Sequence, residues 1–175
     1  MNKQLKLHLG SGDDYREGYV NVDVNKKIKA DVYCDFVKKL PFKNNSVDYV
    51  LCRNVFEHVP DPLSFLLEIK RVLKKGGKAT IITSNASYFI YHFPRKKAYH
   101  DSYNLNHPPE DQHYFLFQQG HLKAFTNRAG MKLLKLDYYI VDQRRSRNNL
   151  FQSFMAYLIG RKFAYSDFLW QIEKQ

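Results

Sequence analysis

Gly10, Ser11 and Gly12 follow the apolar run Leu5–Leu9, and Asp23 sits near the end of a second run, Val20-Asn21-Val22-Asp23-Val24. Glycines directly after a strand let backbone approach a ligand, and an acid after the next strand can accept ribose hydroxyls. This pair therefore points to a nucleoside pocket. The separation from Gly12 to Asp23 is 11 residues, against about 20 in the dinucleotide fingerprint. No third glycine follows, because Asp14 stands near that place. The spacing favours a nucleoside-type ligand without a pyrophosphate. Seven histidines form the second chemical resource, four of them at 100, 107, 113 and 121. Those intervals match no common zinc pattern and no cysteine lies nearby, so the sequence assigns no metal.

These residues need a scaffold of alternating strands and helices. Residues 5–9, 19–24, 30–34, 47–52 and 78–84 read as strands one to five. Pro60-Asp61-Pro62 opens a helix, with Asp61 at the N-cap and Pro62 at the first position. Lys74-Lys75-Gly76-Gly77 reads as its end. Residues 117–129 read as a helix and 131–141 as strand six. The alternation predicts an α/β fold, a Rossmann-like, mostly parallel sheet with helices on both faces, in the order 3-2-1-4-5 plus strand six. Only about nine residues join strands one and two, fewer than the dozen or so a helical crossover takes, so a loop or single turn is expected there.

Residues 85–116 show no clear period and carry Pro94, Pro108 and Pro109 with many Tyr and His. Such a connection reads as a lid or substrate insert. Tyr88, Tyr91, Tyr99 and Tyr103 interleave there with Arg95, Lys96 and Lys97, which suits a lid over a small acceptor or a surface that stacks bases and binds phosphates. Residues 148–175 read as helical, with Gln152–Ile159 as an alternative strand seven. The helix over 149–159 is flanked by Arg144, Arg145, Arg147, Arg161 and Lys162. A membrane surface, a partner, its own sheet or a dimer mate would each suit that face.

The chain of 175 residues predicts one domain, 1–175, with a cofactor half (1–84), the insert (85–116) and a C-terminal half (117–175). No apolar run approaches the roughly 18 residues of a spanning helix. The start is read as carrying no signal peptide, and Cys34 and Cys52 as reduced, buried thiols of a cytoplasmic protein. The net charge is +11, all of it beyond residue 35 because residues 1–35 hold six basic and six acidic residues. A basic surface of this kind keeps a protein soluble or attracts nucleic acid or other acidic partners.

The ordered series Leu9-Gly10-Ser11-Gly12, Gly18-Tyr19-Val20-Asn21-Val22-Asp23, Ala30–Asp35, Leu40-Pro41-Phe42, Ser46–Val50, Phe56-Glu57-His58-Val59, Arg71–Gly77 and His113-Tyr114-Phe115 with Leu122 and Ala129-Gly130-Met131 resembles the class I S-adenosylmethionine-dependent methyltransferases. The likeness is to small, type 11-like members with a shortened first helix, over about residues 5–140. The resemblance implies S-adenosylmethionine as cofactor. It places Gly10, Ser11 and Gly12 beneath the methionine part, Asp23 on the ribose with Val24 beside it, and Asp35 and Phe36 at the adenine. Arg53 and Asn54 would line the amino-acid end, where the family often has a smaller residue than Arg53; that side chain would bind the cofactor carboxylate or face solvent.

Methyl transfer from a sulfonium is an in-line displacement, so alignment matters most, and an oxygen or nitrogen acceptor also needs its proton taken. His92, His100, Asp101, His107, His113 and His121 are the acceptor-side candidates. His113 leads, because the resembled family has a His before its late helix; a helix-capping role is the alternative. His58 is a second base candidate, and Glu57-His58 alternatively holds its own loop. The expected activity is methyl transfer to a small or lipid-linked acceptor. RNA methylation, or a non-catalytic module that keeps the fold, are the alternatives. No Asn-Pro-Pro-Tyr-type motif follows strand four. A homodimer through the C-terminal helices is expected.

Overall fold

The computed structural model describes residues 4–35, 38–88, 113–139 and 146–175, without the side chains of 146–152 and 163–164. The first strands are β1 (Lys6–Leu9), β2 (Val20–Asp23), β3 (Val32–Tyr33) and β4 (Val47–Arg53). A 3₁₀ turn (Phe56–His58) leads to helix α1 (Pro62–Val72) and β5 (Leu73–Ser84). Then come α2 (Gln119–Arg128), β6 (Lys132–Tyr139), α3 (Ser146–Ile159), α4 (Arg161–Ala164) and β7 (Asp167–Glu173). One seven-stranded sheet has the order β3-β2-β1-β4-β5-β7-β6. The first five strands pair in parallel, and β7 runs antiparallel to both neighbours.

The expected order 3-2-1-4-5 is present, and residues 10–19 cross from β1 to β2 without a helix. Two readings are corrected. Residues 165–173, expected to be helical, hold β7, which separates β6 from β5. Phe168, Trp170 and Ile172 alternate into the core while Leu169 and Gln171 do not. That period of two fits a strand, and pairing on both sides satisfies its backbone. Gln152–Ile159, the alternative site for strand seven, is helical. The second correction is at α1, which ends at Val72 rather than at Gly76-Gly77. Leu73 is extended (φ −61°, ψ 139°) and fully buried, so the chain passes straight into β5. Gly76, at φ +74°, turns the strand instead, and its N–H donates to the Lys174 carbonyl at 2.8 Å.

Asp61 accepts from the Ser64 N–H at 3.1 Å and Pro62 opens α1, as the sequence predicts. The helix buries Phe65, Leu66, Ile69 and Val72. Lys70, which interrupts the apolar stripe, ties α1 to the end of α2 by donating to the carbonyls of Ala129 (2.8 Å) and Gly130 (3.0 Å). Arg71 pairs with Glu68 and donates to the carbonyls of Leu40 and Phe42, which pins the loop before β4.

An aromatic cluster lies under the site. The Phe56 ring is 5.0 Å from Phe117, 5.4 Å from Trp170, 5.9 Å from Phe125 and 6.3 Å from Phe65, centroid to centroid. Aromatic rings at such separations add to the burial gain. Phe56 therefore anchors the 3₁₀ turn to α1, α2 and β7 at once. Behind β5, Asn85 forms a parallel bridge with Phe117 and donates its side-chain amide to the carbonyls of Lys162 (2.8 Å) and Tyr165 (2.7 Å).

Candidate active site

β1 and β4 lie side by side in the sheet, with Leu9 level with Cys52, so the segments that follow them open at the same edge. β1 is also where strand order reverses, the usual position of a ligand crevice in such sheets. The turn after β1 begins with Gly10 (φ +63°), whose N–H donates to the Val22 carbonyl at 2.8 Å. A Cβ at Gly10 would stand 2.2 Å from Val55 Cγ2, so only glycine lets this turn pack on the chain leaving β4. Gly12 (φ +50°) has nothing within 4 Å of its Cβ position, so the backbone there faces open space. The Ser11 hydroxyl is buried and has no hydrogen-bond partner among the described residues. Buried polar atoms are normally paired, so the orphan marks where a ligand polar group would fit.

Asp23 is 7% exposed. One carboxylate oxygen accepts from the Gly12 N–H (2.9 Å), the other from the Asn25 N–H (2.9 Å). The carboxylate is thereby fixed against the glycine turn, and each oxygen retains acceptor capacity for a diol. Val24 beside it is 51% exposed, an apolar surface next to the acid. Asp35 lies beyond β3 and pairs with Lys38 at 3.2 Å. Phe36 lies outside the described residues, as do His92, His100, Asp101, His107, Tyr91, Tyr99, Tyr103 and the Arg95–Lys97 run.

Arg53 takes an arrangement the sequence did not suggest. Its guanidinium donates to Asp14 at 2.5 Å, and Arg16 holds the same oxygen at 2.8 Å. Burial would raise the Asp14 carboxyl, but Arg16 and then Arg53 outweigh it and hold it below its usual value. The ion pair ties the residue in the third-glycine place to the end of β4. Asn54 follows at φ +51°, its N–H donating to the Ile82 carbonyl (2.9 Å), so the chain turns sharply toward Val55 and the 3₁₀ turn.

Glu57 is 1% exposed. Its two carboxylate oxygens accept from the hydroxyls of Thr83 (2.8 Å) and Ser84 (3.0 Å) at the end of β5. Burial raises its pKa against the pull of these hydrogen bonds. His113 comes from the far side of the insert. The next two residues dock it, as the N–H groups of Tyr114 (2.9 Å) and Phe115 (3.3 Å) both donate to the Glu57 carbonyl. The His58 and His113 rings meet edge to face, 4.5 Å between centroids. Burial, reinforced by His58, lowers the His113 pKa to about 4. One ligand atom each of Glu57, His58 and His113 lies within 4.8 Å of the other two.

The helix-capping histidine is His121, not His113: its Nδ1 accepts from the Gln118 N–H at 3.3 Å. Thr83 and Ser84 were not singled out from the sequence. Their signal was two hydroxyls closing an apolar strand, which becomes informative only once β4 and β5 are known to pair.

The sheet order with β7 inserted antiparallel, and a glycine turn facing a fixed carboxylate, define the class I S-adenosylmethionine-dependent methyltransferase fold. Residues 13–81 match the family model described as a methyltransferase domain. The chain is 24% identical over 144 residues to the ubiquinone biosynthesis O-methyltransferase of Coxiella burnetii, covering 78% of this chain and 60% of that protein. It is 34% identical over 100 residues to an uncharacterised protein of Methanocaldococcus jannaschii, covering 55% of this chain and 42% of the other. The chain thus spans about half the length of these curated relatives. In fold it is similar to a SAM-dependent methyltransferase from Archaeoglobus fulgidus, with TM-score 0.68, 16% identity, and 98% and 86% of the two chains covered. It is similar also to the Haemonchus contortus phosphoethanolamine N-methyltransferase 2 solved with phosphomonomethylethanolamine and S-adenosylhomocysteine, with TM-score 0.58, 19% identity, and 98% and 49% covered. Among the described residues no helix is long and apolar enough to cross a membrane.

Proposed function

We propose that this chain binds S-adenosylmethionine at the Gly10–Gly12 turn and transfers its methyl group to a small or lipid-linked acceptor. The observation that carries the reading is Asp23, fixed by the Gly12 and Asn25 N–H groups, with the Ser11 hydroxyl of the same turn buried and unpartnered among the described residues. Asp23 would hold the ribose diol, Val24 and Phe36 the adenine ring, and Asp35 the adenine amino group. Gly10, Ser11 and Gly12 would lie under the methionine part. Arg53, held by Asp14, and Asn54 would border its carboxylate end. The bound cofactor supplies a methyl on a cationic sulfur, which leaves as a neutral thioether.

The protein's own work is then to align acceptor and methyl and to take up or release a proton. His58 and His113 stand on the acceptor side of β4 as the catalytic candidates. The lipid-linked acceptor is favoured by the likeness to a ubiquinone biosynthesis enzyme. Residues 1–84 are proposed as the cofactor half of a single domain, 85–116 as the acceptor insert and 117–175 as the half that completes the sheet. The free thiols of Cys34 and Cys52 suit a reducing compartment such as the cytoplasm. Phe154, Tyr157 and Leu158 are exposed on α3 and are proposed as a dimer contact.

Calorimetric titration with S-adenosylmethionine and S-adenosylhomocysteine tests the reading. Both should bind. Asp23→Ala should weaken them by roughly 100-fold, since hydrogen bonds to a charged group contribute about 1.5–3 kcal/mol. Absence of binding by either ligand would remove the methyltransferase reading.

A further inference from the structure

We propose that Glu57, His58 and His113 form a binding site for one divalent transition cation at the acceptor side of the crevice. Three features build it. Two imidazoles and a carboxylate bring one ligand atom each within 4.8 Å of the others. Ligand atoms around one ion are about 3–3.5 Å apart when each bond is about 2.1 Å, so small side-chain rotations close the set. Two nitrogens and one oxygen are the donor types that zinc, cobalt, manganese and ferrous ions accept, in a set that leaves coordination positions open.

The second feature is the support behind the ligands. Thr83 and Ser84 orient the Glu57 carboxylate from β5, the outer-shell arrangement that fixes metal ligands. Two backbone hydrogen bonds hold the chain after His113 to the Glu57 carbonyl. Phe56 anchors the turn from below through four aromatic neighbours. The third feature is an electrostatic demand. Glu57 is almost fully buried, and none of the ion pairs among the described residues includes it. Ionising a buried carboxylate is costly, and a divalent ion bound beside Glu57 would offset that cost.

Intervals along the sequence pointed away from a metal because they compared His113 with His100, His107 and His121. The partners lie instead in the turn after β4. The cation's role rests on the proposed methyl transfer: an acceptor hydroxyl bound at an open position would lose its proton to solvent more readily. The site itself does not rest on that reading.

Metal binding is measured on the cofactor-free chain, using cobalt(II) absorption in the visible range and calorimetry with zinc and magnesium. One cobalt or zinc ion per chain is expected, with weaker binding of magnesium, which prefers all-oxygen ligands. His58→Ala and His113→Ala should each abolish stoichiometric binding. Thr83→Val should weaken it by roughly 10–100-fold. His58→Gln and His113→Gln serve if the alanine variants do not fold, as judged by melting. Absence of stoichiometric binding to the wild-type chain overturns the proposal, as does binding unchanged in folded variants of both histidines. Cofactor titration on the same sample separates the two readings: lost cofactor binding with intact cobalt binding fails only the methyltransferase reading.

Discussion

Gly10 shows how much one missing side chain contributes. Its positive φ costs an alanine roughly 1–2 kcal/mol, and the added Cβ would also collide with Val55. Gly10→Ala should therefore lower both melting temperature and cofactor affinity. Adding Val55→Ala should recover only the part due to the collision. Full recovery would show that the backbone conformation carries no cost. His113 gives a pH prediction. Its folded pKa, about 4, lies below the ordinary 6.5. The unfolded chain therefore binds more protons between these values, and stability rises with pH through that window. Above about pH 6.5 the contribution is fully present, and it is lost as the pH falls toward 4. His8, buried and also lowered, adds slope in the same direction. His113→Phe should flatten the wild-type curve only in part, as measured by urea unfolding from pH 4 to 7. That the Gly10–Gly12 turn would meet Asp23 was legible, because a glycine turn after one strand and an acid at the end of the next, paired strand fall at the same sheet edge. Glu57 with His113 was not, because their approach depends on a tertiary hydrogen bond from Tyr114.

Among the elements, the strands and α1 were readable where a local period or cap dominates: Asp61-Pro62 set the start of α1 as expected. Its end was misread because Lys-Lys-Gly-Gly is a good local stop signal, yet Leu73 gains more by burial at the head of β5. β7 was missed because residues 165–173 are short and rich in large apolar side chains, where helix and strand periods are hard to tell apart. The alternation of Phe168, Trp170 and Ile172 was the available clue. Trp170 is fully buried, and its indole N–H donates to Thr126 at 3.0 Å. Trp170→Ala should cost about 3–5 kcal/mol in chemical denaturation. Lys70→Met keeps the stem but removes both bonds to the end of α2. It should cost about 1–3 kcal/mol, because each lost bond has a charged donor and leaves a carbonyl behind.

Across the whole molecule, the basic excess is partly gathered away from the crevice. Lys6, Lys74, Lys75 and Lys78, with Tyr19 and Tyr49, line a cleft of about 510 Å³. Lys6 and Tyr49 stand near the starts of β1 and β4, whereas the glycine turn follows the end of β1. Lys75→Glu with Lys78→Glu should therefore reduce retention on heparin or RNA and flatten its salt dependence, while cofactor titration stays unchanged. A fall in cofactor affinity in this variant would link the cleft to the crevice.

The bridge between Asn85 and Phe117, with the Ala86 N–H donating to the Phe117 carbonyl at 2.8 Å, fastens the two ends of the intervening stretch to each other. Once a loop's ends are clasped, doubling its length adds only about 0.6 kcal/mol of closure entropy. The stretch can then be lengthened, shortened or exchanged while the sheet and the Asp23 pocket stay as they are. Descent with modification therefore has in this clasp a place where sequence change between the two ends costs little to the sheet and the glycine turn.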